Sequence, residues 1–313
     1  MKKFLSLSLL ILNFTLIQSQ NKISVTIDDL PLSRIPYYEK NYYQEITDKL
    51  IENLKDQHAP IIGFVNGYKL YTDSTLDESK VELLRKWIDA GFDLGNHTFA
   101  HKSANKIPVE EYKQDIINGE QVLRKLLETS GKQLKYFRHP YLQTGLSLEV
   151  KGEINDFLKE HGYEIAPVTI DNSEWAFSFA YDKAFNQHDF TLMKKIGEDY
   201  INYMRDKLEY WQEQSKALFG RNISHILLIH ANPMNAEYYD ELCNMIREKN
   251  YEFVSLDEVL KDEAYQSEDK FIKNSGISWI HRWAITQGKG KDFFGIEPEA
   301  PKYIWDFTGL KYE

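Results

Sequence analysis

The sequence predicts an α/β protein with about seven parallel strands, arranged as a sheet or a barrel. Two observations carry this. Short β-branched or apolar runs alternate along the chain with longer amphipathic segments, the pattern of successive βα units. The chain also has 313 residues, 42% hydrophobic and 27% charged, enough for one large core without a second domain.

The strands expected are residues 24–27, 61–65, 92–96, 135–138, 165–170, 225–229 and 253–256. Each is a short β-branched or apolar run. Helices are expected over 43–55, 78–90, 109–128, 148–161 and 236–249, with Gly91 and Asn250 as stops for the second and the last. An insertion between the fifth and sixth strands carries a further helix over about 189–219. Its Ile196, Tyr200, Tyr203, Met204, Leu208 and Trp211 recur at helical spacing, a core-facing stripe. After residue 260 comes a polar stretch, then a tail rich in Trp, Phe, Gly and Pro.

Residues 1–20 read as a secretory signal peptide, with lysines at 2 and 3, an apolar run and a polar end. That run is shorter than the roughly 20 residues that span a bilayer, so no stable membrane anchor is expected after cleavage, and the mature protein is expected to be secreted or periplasmic. The single cysteine, Cys243, forms no internal disulfide and reads as a small buried apolar residue. A net charge of −10 argues against nucleic acid or another polyanion as partner. Residues 21–260 are the expected catalytic unit, and 261–313 an extension packed upon it.

Reactive groups in a parallel barrel collect where the strands end. Asp28 and Asp29 end the first strand, His97 and His101 follow the third, Arg138 ends the fourth, Asp171 and Glu174 follow the fifth, and His230 ends the sixth. The two imidazoles of GNHTFAH are four residues apart, which on a helical turn puts them on one side. With a carboxylate they make a three-ligand set suited to zinc with an open position. The adjacent carboxylates of VTIDDLP repel if both are ionised. A metal relieves this, one aspartate acting as ligand and its neighbour accepting a proton from the attacking water.

The segments TIDDLP, NHTFAH, FRHPY, DNSEW and LLIH, in that order, resemble the five motifs of the polysaccharide deacetylases of carbohydrate esterase family four. The resemblance implies a distorted (β/α) barrel and a Zn2+ or other divalent transition-metal cofactor. It implies that Asp28 is the general base held by Arg138, that Asp29, His97 and His101 are the metal ligands, and that His230 is the general acid. It further implies that Tyr141 offers a backbone N–H to the oxyanion and that Leu228 lines the acetyl-methyl pocket. Two departures stand out. Leu30 and Pro31 follow the aspartate pair where the motif has Gly, so a different turn is expected there. Glu174 stands before Trp175 where the motif has Asp, which leaves either Glu174 or Asp171 to orient His230. Trp175 is a candidate substrate contact.

The reaction implied is removal of acetyl groups from an acetylated carbohydrate, N-deacetylation of an amino-sugar polymer or oligomer being favoured. O-acetyl esterase activity, as on xylan, and a noncatalytic carbohydrate-binding protein are the alternatives. Trp279, His281, Arg282, Trp283 and Trp305 of the tail are expected to pack it against the barrel, the alternative being a sugar-stacking platform. His58, His139, His161, His188 and His225 have no partner motif and are expected on the surface or satisfied in the core.

Overall fold

The computed structural model describes residues 20–34 and 40–311, so the signal segment lies outside the described residues apart from Gln20. The elements in order are β1 (Asn21–Leu30), α1 (Lys40–Asp56), β2 (Ile61–Val65), a 3-10 turn (Gly67–Leu70), the hairpin β3 (Tyr71–Thr72) and β4 (Thr75–Leu76), α2 (Glu78–Asp89), β5 (Asp93–Asn96) and α3 (Val109–Thr129). Then come β6 (Tyr136–Phe137), α4 (Leu148–Glu160), β7 (Glu164–Ile165), α5 (Glu174–Asn186), α6 (Phe190–Phe219), β8 (His225–His230), α7 (Pro233–Glu248), β9 (Tyr251–Phe253) and α8 (Leu256–Val259). The tail adds α9 (Trp279–Thr286), α10 (Lys291–Phe294) and α11 (Lys302–Thr308).

Seven strands form one sheet in the order β7-β6-β5-β2-β1-β8, with β9 also on β1. All its pairings are parallel. Between β7 and β8 the curve is closed by the segment after β7, through an Ile170–Leu227 bridge and Thr169 and Ile170 N–H groups donating to the Ile226 carbonyl. This is a distorted (β/α) barrel.

The two-residue alternation of the strands sorts their side chains. Ile23, Val25 and Ile27 of β1 and Ile61 and Val65 of β2 join the large core beneath the helices. Ile62 and Phe64 of β2 join Tyr136, Ile226, Leu256 and Val259 in a smaller cluster of their own, the barrel interior. On β1 the alternate set is Ser24, Thr26 and Asp28, all buried. A polar column thus runs up the interior toward the rim.

Several expectations change. The strand expected over 165–170 is only Glu164–Ile165, followed by an irregular stretch. Pro167, which has no N–H, interrupts the ladder there. The strand expected over 253–256 ends at Phe253, and Leu256 instead opens α8 because the Ser255 side chain caps it by accepting from Glu258 N. Helix α5 and the tail helices were not anticipated. Gly91 and Asn250 do take positive φ at the helix ends, 92° and 60°.

The tail is sewn into the barrel. Trp283 and Ile280 are buried in the main core, as is Ile304 of α11. The Arg282 guanidinium is fully buried over the Trp279 ring at 4.1 Å. It donates to Leu142 O (3.1 Å) and Thr144 Oγ1 (2.6 Å), and pairs with Asp269 at 2.8 Å. Trp279 and His281 are buried as well.

Candidate metal centre and acid–base pairs

Asp28 and Asp29 are neighbours, and in a regular strand they would face opposite ways. The β1–β2 register shifts between Ile27 and Leu30, and Asp29 has φ 71°. This bulge turns both carboxylates toward the same rim. The strand continues past the pair to Leu30, which aligns with Val65, and the Leu30–Pro31 peptide is cis.

His97 and His101 do not sit on a helical turn. They flank an irregular loop after β5, with φ 65° at Thr98 and 53° at His101. Asn96 at the head of the motif and two residues remote from it, Asp115 and Gly119, shape the loop. The Asn96 side chain accepts from Thr98 N at 2.8 Å, and the Asp115 carboxylate of α3 accepts from Ala100 N at 3.1–3.2 Å. Gly119 lets the loop lie against α3, since a Cβ there would stand 2.6 Å from the Thr98 carbonyl carbon and 2.9 Å from Phe99 N.

The result brings one ligand atom each of Asp29, His97 and His101 within 4.8 Å of one another. Asp29 Oδ1 is 3.8 Å from His97 Nε2 and 3.6 Å from His101 Nε2. His97 Nδ1 is 2.8 Å from Arg138 O, so its ring is fixed with Nε2 toward the triad. Burial lowers the pKa of both imidazoles, favouring the neutral form a metal needs. Asp29 Oδ1 is buried and has no hydrogen-bond partner among the described residues. A carboxylate oxygen and two neutral nitrogens so arranged fit a divalent metal.

Asp28 lies beside this set, its Oδ2 3.7 Å from His97 Nε2 and 3.8 Å from Arg138 Nη1. Burial pushes Asp28 up to about 6, against the opposing pull of Arg138. Arg138 is fully buried, donates to Thr26 Oγ1 at 2.8 Å and lies over the Phe64 ring at 4.8 Å. For Asp29, burial acts upward, but Lys69 and then His101 outweigh it and hold the carboxyl well below its ordinary range.

Glu174, not Asp171, contacts the second candidate acid–base residue. Its Oε2 accepts from His230 Nδ1 at 2.7 Å, and its Oε1 accepts from Asn232 Nδ2 (2.5 Å) and Asn235 Nδ2 (2.8 Å). Burial acts to lower the His230 pKa, yet the Glu174 hydrogen bond and charge raise it to about 9. Asp171 Oδ1 instead accepts from the N–H of Asn172, and burial pushes Asp171 to about 6.

Tyr141 is exposed, with φ 56° and its ring edge-on to His101 at 4.5 Å. The tail backs this turn at Gly276, where a Cβ would stand 1.7 Å from Tyr141 O. Leu228 is buried on β8 opposite Thr26. Trp175 is partly exposed and meets Trp305 edge-on at 5.7 Å. His139 and His225 are buried, each with a hydrogen-bonding neighbour, Tyr112 OH and Asn222 Oδ1 respectively.

Lys69, Asn232, Asn235, Asp115 and Gly119 escaped the reading of the sequence. Of these only Asn232 left a local signal, as the cap before Pro233 that accepts from Asn235 N.

A parallel barrel whose rim joins a carboxylate–bis-imidazole triad to a buried aspartate and a Glu–His pair has the make-up of a metal-assisted hydrolase. Residues 17–166 match the family model of the polysaccharide deacetylases. A curated relative, a peptidoglycan-N-acetylglucosamine deacetylase of Bacillus cereus, is 25% identical over 131 residues, 42% of this chain and 42% of its own length. The chain thus spans less than half of that relative. An uncharacterized 30.6 kDa protein of Geobacillus stearothermophilus is 21% identical over 74% of this chain and 71% of its own. Among solved structures, a polysaccharide deacetylase of Bacillus cereus superposes with TM-score 0.51 at 18% identity, over 75% of this chain and 92% of that one. A CE4 family pseudoenzyme from Bacillus anthracis gives 0.51 at 15% identity, over 77% and 66%. These two show the shared fold.

Proposed function

We propose that this protein is a divalent-metal-dependent hydrolase that removes N-acetyl groups from an amino-sugar polymer or oligomer, with zinc as the metal. The observation that carries this reading is the placement of the Asp29–His97–His101 triad beside both Asp28 and the Glu174–His230 pair on one rim. The Bacillus cereus relative, a peptidoglycan-N-acetylglucosamine deacetylase, supports the amino-sugar substrate. Among the described residues no helix is long and apolar enough to cross a membrane.

A metal held by Asp29, His97 and His101 would polarise the acetyl carbonyl and acidify the attacking water. Asp28 accepts the proton of that water, and a pKa raised to about 6 suits a base working near neutrality. Arg138 holds Asp28 in place and keeps its charge tolerable in a buried site. In this reading the Tyr141 N–H would donate to the developing oxyanion and Leu228 would line the pocket of the acetyl methyl. His230, oriented by Glu174, gives its proton to the departing sugar nitrogen, and acetate and the free amine leave. Trp175, exposed at the start of α5 next to Glu174, offers an aromatic face to a sugar ring.

The test is acetate release from peptidoglycan, chito-oligosaccharides and acetylated xylan, each with and without chelator. Chelator-sensitive release from the amino-sugar substrates is expected. Release from xylan alone would make it an O-acetyl esterase, and binding without release would make it a carbohydrate-binding protein.

A further inference from the structure

Lys69 is a buried lysine, 4% exposed, delivered to the rim by the 3-10 turn that follows β2. Its ammonium donates to the carbonyl oxygens of Asp29 (3.0 Å) and Ser33 (3.1 Å), and pairs with Asp29 Oδ2 at 3.3 Å. Three acceptors thus match its three donors. Burying an ammonium is costly unless it is well paired, and Asp29 supplies two of the three partners. The two adjacent aspartates therefore each have their own buried cation, Arg138 for Asp28 and Lys69 for Asp29.

The contact falls on both handles that decide how Asp29 presents itself. The carbonyl belongs to a non-glycine residue at positive φ, a backbone state that persists only when its surroundings hold it. The carboxylate is engaged through Oδ2, and Oδ1 is the oxygen that faces His97 and His101.

We propose that Lys69 is a positioning residue for the metal triad, pinning Asp29 by its carbonyl and Oδ2 so that Asp29 offers the metal a single oxygen, Oδ1. This rests on the reading of Asp29, His97 and His101 as metal ligands. One-oxygen ligation by Asp29 would leave more of a bound metal's charge for the substrate carbonyl.

The test uses the full apo-protein and its Lys69→Met and Lys69→Gln variants, titrated with Co2+ and followed by visible absorption and by competition with a chromophoric chelator. Loss of a partner one shell beyond the metal typically lowers metal affinity by about 10–100-fold. Lys69→Met is expected to fall in that range and to change the Co2+ spectrum as Oδ2 becomes free to bind. Lys69→Gln, which keeps a donor, is expected to fall between. Variants equal to the parent or tighter, with an unchanged spectrum, overturn the proposal; a lower melting temperature with the parent's affinity and spectrum makes Lys69 a structural residue only and overturns it too. X-ray absorption on the metal-loaded parent needs no variant to fold: two-oxygen ligation by the carboxylate also overturns it. A parent that binds no Co2+ at all fails the metal reading itself.

Discussion

Glu174 Oε2 lies 2.7 Å from His230 Nδ1, although the two residues come from different elements 56 positions apart. Glu174 is fully buried, and its other oxygen is held by Asn232 and Asn235. Its Oε2 is thereby committed to the imidazole.

This pairing predicts a pH effect. His230 must be protonated to act as the acid, and a pKa raised from 6.5 to about 9 keeps it so until pH rises through that value. A bound divalent cation lowers this limit in parent and variant alike. Glu174→Gln removes the paired charge, so the alkaline limb of the pH–rate profile should move down by about 1–3 units. Metal content should be unchanged. An alkaline limb that stays in place would separate Glu174 from the acid step.

The two adjacent aspartates should divide their roles under one isosteric change. Asp28→Asn should keep its metal and lose about 10²- to 10⁴-fold in turnover, because an amide cannot accept the proton. Asp29→Asn should lose metal affinity first, and activity with it. Metal stoichiometry measured beside acetate release distinguishes the two, and full turnover by Asp28→Asn would remove it as base.

Gly119 is remote from the motifs, yet Gly119→Ala should damage the metal centre. The new Cβ would meet the backbone of Thr98 and Phe99 at 2.6–2.9 Å, and that backbone connects the two histidines. Overpacking of this kind costs about 1–3 kcal/mol, and the loop can relieve it only by moving. Reduced urea stability together with weaker metal binding is expected; a variant matching the parent in both would show that the loop has room.

The tail should matter to stability and to Tyr141 more than to the metal. Arg282→Met removes a fully buried guanidinium that bonds Leu142 O, Thr144 and Asp269. Breaking a buried pair of this kind costs about 3–5 kcal/mol. Urea unfolding should register that loss and acetate release should fall, while Co2+ affinity of the folded fraction stays near the parent's, because the triad is built from the ends of β1 and β5. A metal affinity that falls as far as the stability would place the tail's influence at the triad.

Local pattern determined most of the alternating strands and helices up to residue 260, the identity of β2, and the rim position of Asp28, Asp29, Arg138 and His230, because periodicity and residue type are read over a few neighbouring positions. It did not determine the loop carrying His97 and His101. A four-residue spacing suggests a helical turn, but Asp115 and Gly119 of α3 hold that loop in another shape. Nor did it show why consecutive aspartates face one way, which follows from the β1–β2 register shift. The choice between Glu174 and Asp171 as the residue touching His230, and the arrival of Lys69 at Asp29, were likewise decided by the tertiary structure. Each depends on a pair of groups brought together across the barrel, and a hydrogen bond between residues distant in sequence leaves no periodicity in the chain by which to read it.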